Sequence, residues 1–307
     1  MIRTTPRRTL TLEAPESPGL PAHVSAASGL VRVGDWLHVV ADDSLHLATF
    51  PVHGDAPGRL SRLFEGELPL EPAARKAAKP DLEALCLLGP LAGAPQGALL
   101  ALPSGSTSAR MRGVLVMLGA DGSLTGEVRT VDCSTMYQQL SRELGSLNIE
   151  GAAVVGGRVR LLQRGNGDAG VDALVDLDRE RAMRAIEVGA LGPEVVRTTL
   201  RWELGRAGGV RLSFTDASPL PDGRMVFTAT AEASRDTYSD GAVAGSAVGL
   251  LAPDGTPLFL DVVDAKVKLE GVDARVEGGR VHLLLVADAD DPSVAAPLLE
   301  AVLDVPA

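Results

Sequence analysis

Five oxygen-bearing side chains recur at corresponding places along this chain: Ser28, Glu83, Glu150, Asp216 and Glu270. Each is followed by a small residue (Gly29, Ala84, Gly151, Ala217, Gly271) and then by an apolar run. Four carboxylates brought together away from bulk water repel strongly. They must take up protons, pair with cations or bind a metal. Calcium accepts about 6–8 oxygens in loose geometry, which suits five side chains and added waters. Magnesium asks for a tighter octahedron and fits less well. Taken singly, each residue has a plainer reading as a strand cap bonded to a backbone amide. Recurrence at one place in a repeat favours a shared cation, here Ca2+.

The elements that must position these residues follow from the same repeat. After each acidic or hydroxyl residue come an apolar run, a tight turn and a second apolar run. The turns include Gly34, Gly156-Gly157, Pro221-Asp222-Gly223 and Gly278-Gly279. Asp-Gly and Gly-Gly between apolar runs are hairpin signals. The copies recur about every 60 residues, the length of a four-stranded propeller blade with long loops. The sequence therefore predicts an all-β fold: a five-bladed β-propeller of four-stranded blades, with six blades as the alternative.

Outer strands are expected over 45–52 and 59–64, 113–118 and 124–131, 172–176 and 195–204, and 247–251 and 258–263. The fifth unit has one outer strand left, near Pro297 to Val305. The run Thr9 to Leu12 can fill the vacancy and close the ring, removing exposed sheet edges. Short helices are expected over 71–79, with Pro72 in the first turn, over 134–144, capped by Ser134, and over 179–187. No linker-like segment interrupts the chain, so 1–307 reads as a single domain.

Composition narrows the function. Of 307 residues, 45% are hydrophobic and 22% charged, as in a soluble domain with a real core. The net charge is −11, and Lys76, Lys79, Lys266 and Lys268 are the only lysines. A basic stripe for nucleic acid is missing. No apolar run reaches membrane-spanning length. The N-terminus lacks an apolar core of the secretory kind, so a cytoplasmic protein is expected. Cys86 and Cys133 have no metal-type spacing and read as buried thiols.

In an antiparallel blade the second strand ends on the face where the first begins. The second strands lead into Asp42-Asp43, Ser104-Gly105-Ser106, Arg164-Gly165-Asn166, Glu232 and Asp288 to Asp291. These groups would rim the mouth that carries the acidic ring, with Lys79 nearby. Such a rim suits a small-molecule site. Tyr238, in the long segment after Glu232, is placed to stack on a base or sugar.

The ligand order, with Val40-Ala41-Asp42-Asp43, Lys79-Pro80-Asp81-Leu82-Glu83 and Val267-Lys268-Leu269-Glu270-Gly271-Val272, resembles the calcium-activated nucleotidase (apyrase) family. It also resembles a bacterial propeller group of unassigned function. The apyrase resemblance covers most of the chain as a pattern of blades, through short motifs. It implies a five-bladed propeller whose central calcium is ligated by Ser28, Glu83, Glu150, Asp216 and Glu270. Asp216 stands where that family carries Ser. It further implies hydrolysis of a nucleotide or another small phosphate ester. Asp42 or Asp43 would orient the attacking water, and Arg164 would contact phosphate. Asn166, Glu232, Tyr238 and Lys79 complete the expected substrate contacts. The alternative is a propeller that binds a ligand or protein around a structural calcium, and a glycan-cleaving pair such as Glu83 and Glu150 is a third reading.

Other motifs fail on context. Gly165 to Gly170 matches G-x-G-x-x-G but leads into a strand pattern, not a helix. Asp288 to Asp291 lacks the Gly and closing Glu of an EF-hand. The five histidines show no metal spacing.

Overall fold

The computed structural model describes residues 1–91, 93–165, 170–233 and 241–304. Strand β1 spans Thr5–Thr9. Blade one holds β2 (Ala27–Val33), β3 (Trp36–Ala41), β4 (His46–Pro51) and β5 (Arg59–Arg62). Helix α1 (Pro72–Ala78) leads to blade two: β6 (Leu82–Leu88), β7 (Ala98–Pro103), β8 (Arg112–Leu118) and β9 (Leu124–Asp132). Helix α2 (Ser134–Leu144) leads to blade three: β10 (Ile149–Val155), β11 (Arg158–Gln163), β12 (Asp172–Asp178) and, after α3 (Arg179–Glu187), β13 (Val196–Trp202). Blade four holds β14 (Arg206–Ala207), β15 (Val210–Pro219), β16 (Met225–Glu232), β17 (Val243–Leu251) and β18 (Pro257–Val262). Blade five holds β19 (Lys268–Glu277), β20 (Arg280–Asp288) and β21 (Pro297–Leu303).

The expected five-bladed ring is present. Strand β1 pairs antiparallel with β21 and completes blade five, so the two ends of the chain close the ring. The closing strand lies earlier than the Thr9 to Leu12 expectation. Leu10 and Leu12 instead bury between blades five and one. Blade four gains the two-residue strand β14 beside its inner strand, which the repeat did not announce. Helix α2 starts at Ser134 as expected, but Cys133 is its N-cap and supplies no side-chain bond. The Asp132 carboxylate accepts from the Ser134 amide at 2.9 Å instead.

The core is divided among the seams between blades. Leu85 and Leu99 meet Val40 and Leu47 between blades one and two. Blades two and three share the largest cluster, into which α2 sends Met136, Tyr137, Leu140 and Leu144. Further clusters fill the seams from three to four, four to five and five to one. Inner strands pack too tightly for side chains at some points. A Cβ on Gly151 would stand 2.8 Å from the Asp216 Cα. One on Gly29 would stand 3.0 Å from the Glu83 carbonyl. The glycines after Ser28, Glu150 and Glu270 therefore let adjacent blades touch backbone to backbone.

Every inner strand carries an irregularity at the repeated residue. Pairing skips Ser28, Glu83, Glu150 and Glu270, and sets Thr215 and Asp216 together against Thr228. A bulge breaks the alternation of a strand and re-aims the side chain. The sequence repeat is thus a repeated backbone device, near the start of four inner strands and inside β15.

Candidate functional site: the acidic mouth

Glu83, Glu150 and Glu270 leave their bulges toward a shared set of charges. Arg164, just beyond β11, carries Nη1 at 3.2 Å from Glu150 Oε2 and 3.5 Å from Glu270 Oε1. Its Nη2 donates to Glu232 Oε2 at 2.6 Å. Lys268, the first residue of β19, places Nζ 3.2 Å from Asp288 Oδ2, 3.3 Å from Asp290 Oδ1 and 3.6 Å from Glu270 Oε1. Asn148 donates to Glu150 Oε1 at 2.5 Å. The protein's own cations thus offset much of the repulsion between these acids.

A second cluster opens beside it. Asp42, Asp81 and Glu83 each offer an oxygen, and these atoms lie within 4.8 Å of one another. Lys79, at the end of α1, donates to Asp42 and to Asp81 Oδ1, the latter at 2.8 Å. Arg110 Nη1 donates to Asp81 Oδ2 at 2.8 Å, and the Ser104 hydroxyl donates to the same oxygen. Asp81 sits at φ 60°, a left-handed conformation that non-glycine residues rarely adopt. Its backbone is held on both sides, by Asp81 N to Asp42 O at 3.2 Å and Ser104 N to Asp81 O at 2.9 Å. Glu83 differs from its neighbours: among the described residues no donor hydrogen-bonds its carboxylate.

The acids respond to this crowding. Burial first, then the charges of Glu150, Asp42 and Asp81, push the Glu83 carboxyl well above its ordinary range. Burial pushes Glu150 up to about 8 against the pull of Arg164, and Glu270 up to about 7 against Lys268 and Arg164. Asp288 reaches about 7 and Asp43 about 6, both chiefly through burial. Burial disfavours charge on Lys79, but Asp42 and Asp81 overcome it and raise its pKa. A mouth that mixes protonated and ionised carboxyls near neutral pH can move protons as well as hold a cation.

Two of the five expected ligands are bonded away from these charged clusters. The Ser28 hydroxyl donates to the Ala26 carbonyl at 3.3 Å. Asp216 is fully buried, and its Oδ2 accepts from the Val272 amide of blade five at 2.9 Å. Its Oδ1 has no hydrogen-bond partner. Among the expected rim residues, Asp42 joins the tri-carboxylate cluster. Asp43 turns to Arg75 of α1, with Nε to Oδ2 at 3.3 Å. Glu232 holds Arg164 and accepts from the Gly241 amide at 2.7 Å. Asn166 and Tyr238 lie outside the described residues. Ser104 was expected on the rim, but sequence reasoning did not assign roles to Asp81, Arg110 or Lys268. Lys268 and Asp81 stood beside the acidic positions in the motifs quoted above, which was a usable signal. Arg110 had none, because its partner lies on another loop.

The three-carboxylate cluster is able to chelate a divalent metal. Its donors are hard oxygens, and Glu83 lacks a competing donor. Among the described residues no helix is long and apolar enough to cross a membrane.

Residues 23–303 match the family of unknown function DUF6929. The chain belongs to that family. Comparison with curated proteins gives no match. Among solved structures, this DUF6929 protein is similar to the glutaminyl cyclase of Myxococcus xanthus, with 13% identity, 99% of each chain covered and a TM-score of 0.51. It is also similar to MPT-4, a mannose phosphorylase from Leishmania mexicana in complex with phosphate ion. That match has 12% identity, 98% and 89% coverage and a TM-score of 0.47. Such likenesses show the fold alone. The five-bladed ring that the nucleotidase resemblance implied is present, and these likenesses point to no nucleotidase in particular.

Proposed function

We propose that this DUF6929 protein is a divalent-cation-dependent hydrolase of a small phosphate ester, acting at the acidic mouth. The observation that carries the reading is Glu83. It has no hydrogen-bond donor among the described residues, and its oxygen lies within 4.8 Å of those of Asp42 and Asp81. A hard cation there, with calcium the preferred choice, would supply Lewis-acid polarisation of a phosphoryl oxygen. An anionic ester needs such a partner, because carboxylates outnumber basic groups around the mouth.

The chain's own residues would supply the rest. Lys79 holds Asp42 and Asp81 in position. Asp43, raised to about 6, is ionised at neutral pH and suited to accept a proton from water. Glu150 and Glu270, at about 8 and about 7, are suited to return one to a leaving oxygen. Arg164 keeps both of them oriented.

A second reading, a propeller that binds its ligand without converting it, is favoured by the Lys79 ammonium between Asp42 and Asp81. That cation already serves part of the cluster. One experiment separates the two: phosphate release from a panel of nucleotides and sugar phosphates, with calcium, with magnesium and with chelator, for the wild type and Glu83→Gln. Metal-dependent release that is lost in Glu83→Gln supports hydrolysis. If chelator alters neither release nor melting temperature, the cation-dependent hydrolase is gone.

A further inference from the structure

The opposite end of the channel is chemically unlike the acidic mouth. All five inner strands start at the mouth and end in a funnel of about 550 Å³. That volume is typical of a small-molecule site, for which about 300–1,000 Å³ is usual. Leu30, Leu85 and Ala152 are buried in its wall, while Leu87 and Val276 stand at its rim with 41% and 46% exposure. Isolated exposed apolar side chains are ordinary, but two at the rim of one apolar concavity mark a binding surface.

The charge of this funnel is also reversed. Arg32 and Arg275 lie among its lining residues, together with Asp273. Asp273 is buried and committed, with Oδ1 accepting from the Arg32 amide at 2.9 Å and Oδ2 from Arg275 Nε at 3.3 Å. The guanidiniums are only partly committed. Arg32 Nε donates to the Gly34 carbonyl at 3.3 Å and Arg275 Nη2 to the Arg32 carbonyl at 2.7 Å. Among the described residues the two Nη atoms of Arg32 and Nη1 of Arg275 make no hydrogen bond. An apolar hollow edged by spare arginine donors, on a protein of net charge −11, selects for one chemistry.

We propose that the far end of the channel binds a small amphipathic anion, an apolar chain or ring carrying one carboxylate or similar head group. The apolar part fills the hollow between the inner strands, and the head group takes the free Nη donors of Arg32 and Arg275. This site is separate from the acidic mouth and stands or falls without it.

The test is calorimetric titration of the full chain with decanoate, below its micelle threshold and in the presence of chelator. Decyltrimethylammonium of the same chain length serves as the comparison. Decanoate is expected to bind at least about tenfold more tightly than the ammonium, a difference of about 1.4 kcal/mol. Leu87→Asp and Val276→Asp change exposed positions on different blades, so the fold should survive in at least one. Each should weaken decanoate by about tenfold or more, and so should Arg32→Gln. Glu83→Gln should leave it unchanged. Absence of decanoate binding, equal affinity for the ammonium, or loss of binding in Glu83→Gln with none in the rim variants would overturn the proposal.

Discussion

The Arg164 guanidinium donates to the Glu232 carboxylate at 2.6 Å and so ties the end of β11 in blade three to the end of β16 in blade four. The same side chain touches Glu150 and Glu270, and it is only 9% exposed. Removing one partner of a buried ion cluster leaves the others uncompensated, which costs about 3–5 kcal/mol. Arg164→Met should therefore lower stability in denaturant titration by about that amount near pH 8. The loss should shrink toward pH 5, where the acids can take up protons. A loss that is the same at both pH values would mean that Arg164 acts through packing and not through charge.

Two buried glutamates of the mouth also set how the intact protein responds to pH. Glu150 and Glu270 have folded-state values of about 8 and about 7, against an ordinary 4.5. Between those limits the folded state binds protons that the unfolded chain has released. Their contribution to stability is fully present below about pH 4.5 and is lost as pH rises through about 7 to 8. In cation-free buffer the melting temperature should fall from pH 5 to pH 8. Glu150→Gln should flatten that slope. A slope unchanged by this substitution would assign the pH dependence to other groups.

The blades were legible because their signal is local. Glycine turns, alternating apolar runs and the small residue after each acid all lie within a few positions of one another. Even the bulges left a trace, since the repeated acid marks the residue that pairing skips. The closing strand was harder to read. Thr5–Thr9 is polar because it forms the outermost strand of its blade, while Leu10 and Leu12 supplied a stronger apolar signal from a seam. The cations in the mouth were harder still. Arg164 was expected to meet phosphate, yet its three carboxylates come from three separate strands or strand ends. A single sequence holds no term for contacts at that separation.

Glu83 is the position where the cation reading and plain electrostatics part. Burial and three neighbouring acids destabilise its charged form. Glu83→Gln should therefore raise the melting temperature in chelator at neutral pH, because the neutral amide enters the crowded cluster without the proton uptake or charge burial that the carboxyl requires. The same variant should lose any melting shift that calcium gives the wild type, by the linkage between ligand and folding. Differential scanning calorimetry of both proteins, with and without calcium, reads both effects. A variant that keeps the full calcium shift would place the cation away from Asp42, Asp81 and Glu83.

Asp216 stands apart from the glutamates of the mouth, and its geometry argues for a different task. Its Oδ2 accepts from the Val272 amide at 2.9 Å across the seam between blades four and five. Two residues on, the Ser218 hydroxyl accepts from the Ala274 amide at the same distance of 2.9 Å. The pair forms a side-chain ladder between inner strands that lack a backbone ladder of their own. Burial drives the Asp216 carboxyl well above its ordinary range, so a protonated acid serves here as well as an ionised one. Asp216→Asn keeps an acceptor for Val272 and should cost little. Asp216→Ala leaves a buried amide unpaired and should cost about 1–3 kcal/mol. Calcium affinity measured alongside distinguishes the roles. If Asn and Ala both abolish calcium binding while stability holds, Asp216 is a ligand; if calcium binding survives both and only Ala destabilises, it is a seam.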